Sequence, residues 1–322
     1  MTRDHIFKIT RRGLLYAVLI ITSLIMAFPL LFGAAGSIAS SDDYARTPWF
    51  PIPYHPTFLN YYLALGGTNT VQSGNTVQHV SALDTPSGDV PRWALNTLIR
   101  AGWYIIIPAI SAVMAGYVFA KMHFRGRDGV FIYLLSSMML PGIVYLVPTF
   151  VMMARFPLAG GNSILGQGGS GFINQWPALL ITGLVNVYFI FMFRQTLLGI
   201  PIDFEEAARV DGANTMQCIF EIYLPMLMPT ITVLIIFQFV AIWNDYMWPL
   251  FVSAGNPYIY TISLGFQYLS AAGNALKGLP ASTTDYPFTF ALATVTIAPL
   301  ILLFFIMQRY FVEGVQGFAI KG

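Results

Sequence analysis

Residues 201–225 read Pro-Ile-Asp-Phe-Glu-Glu-Ala-Ala-Arg-Val-Asp-Gly-Ala-Asn-Thr-Met-Gln-Cys-Ile-Phe-Glu-Ile-Tyr-Leu-Pro. This is the densest acidic part of the chain. Asp203, Glu205, Glu206, Asp211 and Glu221 are five of its 14 acids and fall within 19 residues. On both sides the charge vanishes: Trp176 to Phe193 and Ile222 to Asn244 contain no Asp, Glu, Lys or Arg. Charge-free runs joined by a short charged connector are the pattern of helices that cross a bilayer, each of which needs about 20 mostly apolar residues.

The composition agrees. The chain has 322 residues, of which 56% are hydrophobic and 9% charged. A soluble domain carries about 25% charge, or roughly 80 charged residues at this length. Thirty (16 basic and 14 acidic) cannot coat a water-facing surface, which excludes a soluble globular enzyme. A formal charge of +2 gives no basic field for nucleic acid, and the hydrophobicity excludes intrinsic disorder. With one cysteine, Cys218, no intrachain disulfide forms. His5, His55, His79 and His123 are scattered without metal-ligand spacing.

Outward from the connector, six runs can span: Gly13 to Ser41, Ala101 to Ala120, Val130 to Ala154, Trp176 to Phe193, Ile222 to Asn244 and Tyr286 to Gln308. The predicted fold class is an all-α polytopic membrane protein with six transmembrane helices, so both termini share a side. The Lys/Arg bias selects that side. With the N-terminus cytoplasmic, 11 basic residues lie inside and 5 (Arg46, Arg92, Arg100, Arg155, Lys277) outside. Ser37-Ile38-Ala39 imitates a signal-peptide cleavage site, but a signal core is about 7–15 residues long. The 29-residue first run predicts an uncleaved anchor instead.

Between the runs, Asp42 to Pro91 is the largest polar segment. It opens Pro-rich (Pro48, Pro51, Pro53, Pro56), which favours an extended path. Phe58 to Leu65 suits a short interfacial helix. Two Thr-Val-Gln units around Ser73-Gly74-Asn75 predict a β-hairpin, either a tolerated insertion or a contact for an extracytoplasmic partner. Gly166-Gln167-Gly168-Gly169-Ser170-Gly171 matches G-x-G-x-x-G, yet it follows no strand, so a flexible connection is the expectation. No P-loop motif occurs, so ATP is not expected on this chain. Pro141 and Pro148 should bend the third run, either to line a cavity or as ordinary membrane prolines.

The connector itself reads as a short surface helix. Asp203 at the N-cap and Glu206 three residues on would form a capping box, and the early acids suit the helix dipole. Ala207 and Ala208 leave a low surface, Gly212 ends the helix, and Pro225 suits the first turn of the next. A capped amphipathic connector satisfies all of this without further function.

The spacing carries more. Glu206-Ala207-Ala208, three residues, Gly212, nine residues, then Ile222, Leu224 and Pro225 resembles the signature of the membrane subunits of binding-protein-dependent ABC importers. Trp243-Asn244-Asp245, Asn96-Thr97-Leu98 and Gln308-Arg309-Tyr310-Phe311-Val312-Glu313-Gly314 with Lys321-Gly322 resemble elements of the maltose-type carbohydrate permeases. The likeness is loose over 10–65 and good over 93–322. The stretch from Gly66 to Asp89 is longer than the family usually has, and Val315 to Ile320 departs from its tail.

The resemblance implies a type I importer permease fold, with both termini cytoplasmic, in a bacterial plasma (inner) membrane. Its parts would be a cytoplasmic N-terminus (1–12), a first helix (13–41), an extracytoplasmic loop with the insertion (42–92), a permease core (93–315) and a cytoplasmic tail (316–322). The core would hold a coupling helix at 203–212. That helix would dock on a separate ATPase through Glu205, Glu206, Ala207, Ala208, Arg209, Asp211 and Gly212. Two ATPase subunits would hold ATP and Mg, with no cofactor or metal on this chain. A second permease subunit, a solute-binding protein and membrane lipid complete the expected partners. Trp243, Asn244, Asp245 and Pro141 are candidates for the substrate path or the binding-protein contact. Asp245 could equally be solvated at the interface, and Trp243, Tyr246 and Trp248 could be an aromatic belt rather than sugar-stacking groups. The implied role is uptake of a sugar or oligosaccharide without catalysis. A permease for a non-sugar solute is the alternative. A stand-alone secondary transporter would show inverted repeats and midplane charge, and a membrane-embedded enzyme would need convergent acids or histidines. Neither pattern is found.

Overall fold

The computed structural model describes residues 3–319 apart from 51, 74–75, 83–88 and 280–283, and side chains from 12 to 308 outside those gaps and 72–76. Lys321, Gly322 and the side chains of 309–319 therefore lie outside the described residues. In order the elements are α1 Arg3–Ser37, α2 Ser41–Arg46, α3 Leu59–Ala64, β1 Thr68–Ser73, β2 Thr76–Ser81, α4 Val90–Lys121, α5 Arg127–Ser136 and α6 Gly142–Ala154. Then come α7 Trp176–Leu180, α8 Val187–Leu198, α9 Asp203–Val210, α10 Thr215–Gln217, α11 Leu224–Met226, α12 Met228–Trp243, α13 Met247–Ser253, α14 Ile262–Leu276 and α15 Tyr286–Ala319. The chain is mostly helical, as its apolar runs require.

Among the described residues, α1, α4 and the Tyr286–Gln308 part of α15 are long and apolar enough to cross a bilayer unbroken. The other three expected spans are broken, two of them at prolines. The third run divides at Pro141, where Arg127–Met139 meets Gly142–Ala154 at 98°. Pro141 is the N-cap of α6, where its missing N–H costs nothing, whereas Pro148 stays inside α6. The fifth run divides at Leu227 with a 76° bend, and Pro225 and Pro229 occupy the first turns of the helices on either side. The fourth run divides into α7 and α8.

That last break leaves backbone groups unpaired in an apolar stretch, and side chains from α4 and α13 supply partners. The carbonyls of Ala178, Leu179 and Leu180 accept from Trp248 Nε1 (2.9 Å), Arg100 Nε (3.3 Å) and Trp103 Nε1 (2.9 Å). Ser111 Oγ donates to Leu184 O at 3.3 Å, and Tyr104 Oη lies 2.8 Å from Thr182 Oγ1. Non-helical backbone at membrane depth is tolerated only when it is satisfied in this way. Gly183 sits here at φ +83°, with the Tyr104 ring where a side chain would go.

The chain forms two compact units. The first comprises Met1–Val90 and Phe266–Ala298. In it, β1 and β2 pair antiparallel from Thr68↔Ser81 to Ser73↔Thr76, and the predicted turn at Gly74-Asn75 lies outside the described residues. A lone hairpin is marginal in water, and this one is anchored. Asn69 Nδ2 donates to Leu276 O at the end of α14 (2.9 Å). Val71 packs over Gly278, whose φ is +66°. Beside it, Lys277 Nζ and Asp285 Oδ2 form a buried ion pair at 2.5 Å, with Ser41 Oγ 3.3 Å from each residue.

The second unit comprises Pro91–Gly265 and Pro299–Gly322. Its main core gathers Tyr117 and Phe119 of α4, Phe131 of α5, Phe189 and Phe193 of α8, Tyr223 and Leu234. Asn96 Nδ2 donates to Tyr258 O and Tyr260 O, both at 2.9 Å, and Thr97 Oγ1 accepts from Ile262 N at 2.8 Å. The Asn-Thr pair thus stitches α4 to the start of α14.

The glycine-rich segment is a closely packed, hydrogen-bonded loop rather than the flexible connection expected. Added side chains at Gly160, Gly166, Gly169 or Gly171 would run into backbone. Asn162 holds it together, donating to Ala154 O and Phe156 O (3.0 Å each) and accepting from Gly169 N (2.9 Å). Asn162→Ala should cost about 1–3 kcal/mol, the penalty for orphaned buried groups. It should lower the melting temperature of the purified protein in detergent, and an unchanged melt would refute the hub.

Candidate functional site

The connector forms α9, with Ile202 as N-cap and no side-chain cap. The predicted capping box is therefore corrected: Asp203 is the first helical residue, and Asp203, Glu205 and Glu206 all fall in the first turn, where the helix dipole favours acids. A capping box does form one element later, between Asn214 and Gln217. The C-terminus of α9 behaves as predicted. Gly212, at φ +90°, donates to Arg209 O (3.1 Å) and Ala213 N to Ala208 O (2.9 Å), the double bond pattern of a Schellman motif that only a residue tolerant of positive φ can close.

The structure sorts the site residues into two groups. Glu206, Ala207, Asp211 and Gly212 face outward and Ala208 is half-buried. With them stand two apolar side chains that the sequence pattern did not single out: Phe204 is 50% and Val210 87% exposed. Their spacing with Ala207 puts all three on one helix face, a signal the sequence did hold.

Glu205 belongs to the other group: it turns inward and is 5% exposed. Its Oε1 accepts from Tyr117 Oη of α4 (2.7 Å) and from Arg209 Nε (3.0 Å) and Nη2 (2.7 Å). Its Oε2 accepts from Tyr223 Oη at 2.9 Å. Tyr223 ends a π-helical turn, Cys218–Tyr223, and this wider turn aims the phenol at the carboxylate. Lys121 Nζ, 5.3 Å above the Tyr223 ring, donates to Ile200 O at 2.6 Å. Burial pushes the Glu205 pKa up, but hydrogen bonds from Tyr117, Arg209 and Tyr223, with the guanidinium charge, outweigh it and hold the carboxyl below its ordinary value. Hydrogen bonds to Glu205 and Tyr117 raise the Arg209 pKa in turn.

The second set of expected residues behaves differently. Trp243 is buried and stacks on Phe239 at 5.3 Å, and Ser263 Oγ donates to its carbonyl at 2.7 Å. Asn244 is exposed and donates back to Val240 O in its own helix (2.9 Å). Pro141 is exposed at the α5–α6 break. Asp245 is not simply solvated: its Oδ2 pairs with Arg100 Nη2 at 2.5 Å, and its Oδ1 accepts from Trp248 N at 3.3 Å. Arg100 is 2% exposed and lies over the Tyr104 ring at 5.2 Å. The second span extends beyond its charge-free run, because α4 starts at Val90 and carries Arg92 and Arg100 ahead of Ala101. Among the described residues, no group of three or more His, Cys, Asp and Glu side chains could hold a metal.

The family model for the binding-protein-dependent transport system inner membrane component matches residues 112–317. The chain belongs to that family. It is 27% identical over 248 residues (77% of this chain, 80% of the relative) to the arabinooligosaccharides transport system permease protein AraQ of Halalkalibacterium halodurans. It is 28% identical over 264 residues (80% and 88%) to the lactose transport system permease protein LacG of Rhizobium radiobacter. Its fold resembles a chain of a bacterial ABC transporter involved in the import of the acidic polysaccharide alginate, with TM-score 0.72, 20% identity and coverage of 97% and 99%. A second match is to the alginate transporter in complex with its pentasaccharide-bound periplasmic protein, with TM-score 0.58, 17% identity and 94% coverage of each chain. The chain is a multi-pass membrane transport component, and the matched relatives are permeases, as the motif implied.

Two expectations follow. Asp245→Asn leaves the buried Arg100 guanidinium without its counter-charge and should destabilise by about 3–5 kcal/mol, while Arg100→Met with Asp245→Leu removes the unpaired charge and recovers part of the loss, the Leu179 carbonyl staying without its donor. Thermal denaturation of the purified protein reads both, and a wild-type melt for Asp245→Asn removes the ion pair from the fold. For Glu205, a depressed folded pKa means the stabilisation is present above the ordinary glutamate range and is lost as pH falls through the folded value. The wild-type melting temperature should therefore drop more steeply below about pH 4.3 than that of Glu205→Gln. Parallel acid limbs would contradict this.

Proposed function

We propose that this chain is the permease subunit of an ATP-driven importer in a bacterial plasma membrane, forming the path for a sugar or oligosaccharide delivered by a solute-binding protein. Family membership and the names of its relatives support the carbohydrate reading. On this reading the chain makes six spans with both termini cytoplasmic, three of them continuous helices and three bent.

The observation that carries the coupling assignment is the geometry of α9. It is a short helix, closed at its C-terminus by Gly212, that presents Phe204, Glu206, Ala207, Val210 and Asp211 outward. Exposed apolar side chains rimmed by acids, on a short helix bent 79° away from α8, form a docking face, here for an ATPase subunit. Two such subunits supply ATP and Mg, and this chain holds neither. Closure of the ATPases would displace α9 and switch the core between inward- and outward-facing states. A second permease subunit beside this one is supported by family membership, and lipid covers the unburied apolar stretch of α1.

On the same reading Trp243, buried against Phe239, backs the path from behind, and Asn244 and Pro141, both exposed, face it. Asp245 acts through Arg100.

Glu206→Lys reverses the charge on the docking face, and Gly212→Pro removes the positive φ. Both variants should abolish uptake of the oligosaccharide carried by the cognate binding protein, while the complex still co-purifies. Wild-type uptake in both would overturn the coupling role.

A further inference from the structure

Glu205 lies within the motif yet is withheld from the docking face. Its two carboxylate oxygens receive four hydrogen bonds between 2.7 and 3.0 Å from three places: Tyr117 on α4, Tyr223 on the π turn, and Arg209 on α9 itself. Tyr117 and Tyr223 are each at most 2% exposed, and their rings lie 5.8 Å apart. A carboxylate is an expensive group to bury, and an apolar side chain of similar volume would hold α9 against the core as well or better. What an ionised carboxylate adds is several short, directional bonds from one atom group to separate elements. Those elements are distinctive. One is a long unbroken helix, α4. The other is a π turn that leads within four residues to the 76° break at Leu227, and π turns recur at functional sites. Around them, Arg209 Nη2 reaches Tyr117 Oη at 3.4 Å and Lys121 ties Ile200, just ahead of α9, to α4.

We infer that Glu205 is a positioning residue which passes displacement of α9 to two elements at once, to α4 through Tyr117 and to the Cys218–Leu227 segment through Tyr223. This rests on the coupling reading of α9. It adds an internal linkage distinct from the docking face: Glu206 and Val210 meet the motor, and Glu205 distributes the motion.

The test uses the complex isolated through a tag on this chain and compares hydrogen–deuterium exchange in the nucleotide-free state and after trapping with MgATP and orthovanadate. In the wild type, exchange at α9, at the inner end of α4 and over 218–227 should change together on trapping. Tyr223→Phe should lose the response over 218–227 while keeping that of α9. Tyr117→Phe should weaken the response of α4, where Lys121 still holds Ile200. The combined variant Glu205→Leu, Tyr117→Phe and Tyr223→Phe replaces every buried partner by an apolar group of similar shape, so that no polar atom of the triad is orphaned. It should lose the response over 218–227, weaken that of α4, and keep α9 responsive. If both regions still follow α9 in the single and combined variants, Glu205 is only a structural strut and the inference fails. If α9 itself does not respond in the wild type, or no ATPase co-purifies, the coupling reading fails instead. Should the combined variant not assemble, the two Tyr→Phe variants decide the question alone.

Discussion

A backbone N–H or C=O within a bilayer has no water to turn to, so each must find its partner inside the protein. Helix α4 meets that demand with its own ladder over 32 residues. The break between α7 and α8 meets it with borrowed groups. Trp248, Arg100 and Trp103 close three successive carbonyls, and Ser111 closes that of Leu184. Three of those four donors stand on α4. The long helix is thus the scaffold on which the broken span depends, and Arg100 is buried there because a carbonyl and a carboxylate both need it.

Charge is scarce in this chain, and the described structure concentrates it in pairs. Arg100 with Asp245 and Lys277 with Asp285 bury opposite charges against one another. Glu205 and Arg209, four residues apart on α9, instead pair a buried carboxylate with a half-exposed guanidinium. The two buried pairs join segments that apolar packing alone would leave free to slide, because hydrogen-bonded ions have a preferred geometry and methyl groups do not. The inserted hairpin fits this economy. Asn69 and Val71 settle β1 on the end of α14, beside the Lys277–Asp285 pair, so the insertion is integrated into its unit rather than appended to it.

The connector between α8 and the π turn shows local and tertiary forces dividing one sequence. Local rules place α9, its acidic first turn and its glycine stop, since helix propensity, dipole and positive φ are properties of a few adjacent residues. They also misplace the cap: Asp203 has the right chemistry, but the helix begins one residue too early for it to act. The outward face depends on which side of α9 meets α4, and only the packing of Tyr117 and Tyr223 settles that.

The amino-acid sequence alone determined that this is a multi-pass helical membrane protein of the binding-protein-dependent transport family, and where its acidic connector, its hairpin and the break at Pro141 fall. Those features are written in charge counts, run lengths and short-range spacing, which one dimension can hold. Tertiary structure decided that Glu205 turns inward while Glu206 turns out, that Asp245 has Arg100 for a partner 145 positions away, and that the glycine loop packs tightly around Asn162. A buried ion finds its counter-charge through the packing of whole helices, and Gly160, Gly166, Gly169 and Gly171 are required because another stretch of backbone comes too close for a side chain. Neither circumstance exists until the chain has folded.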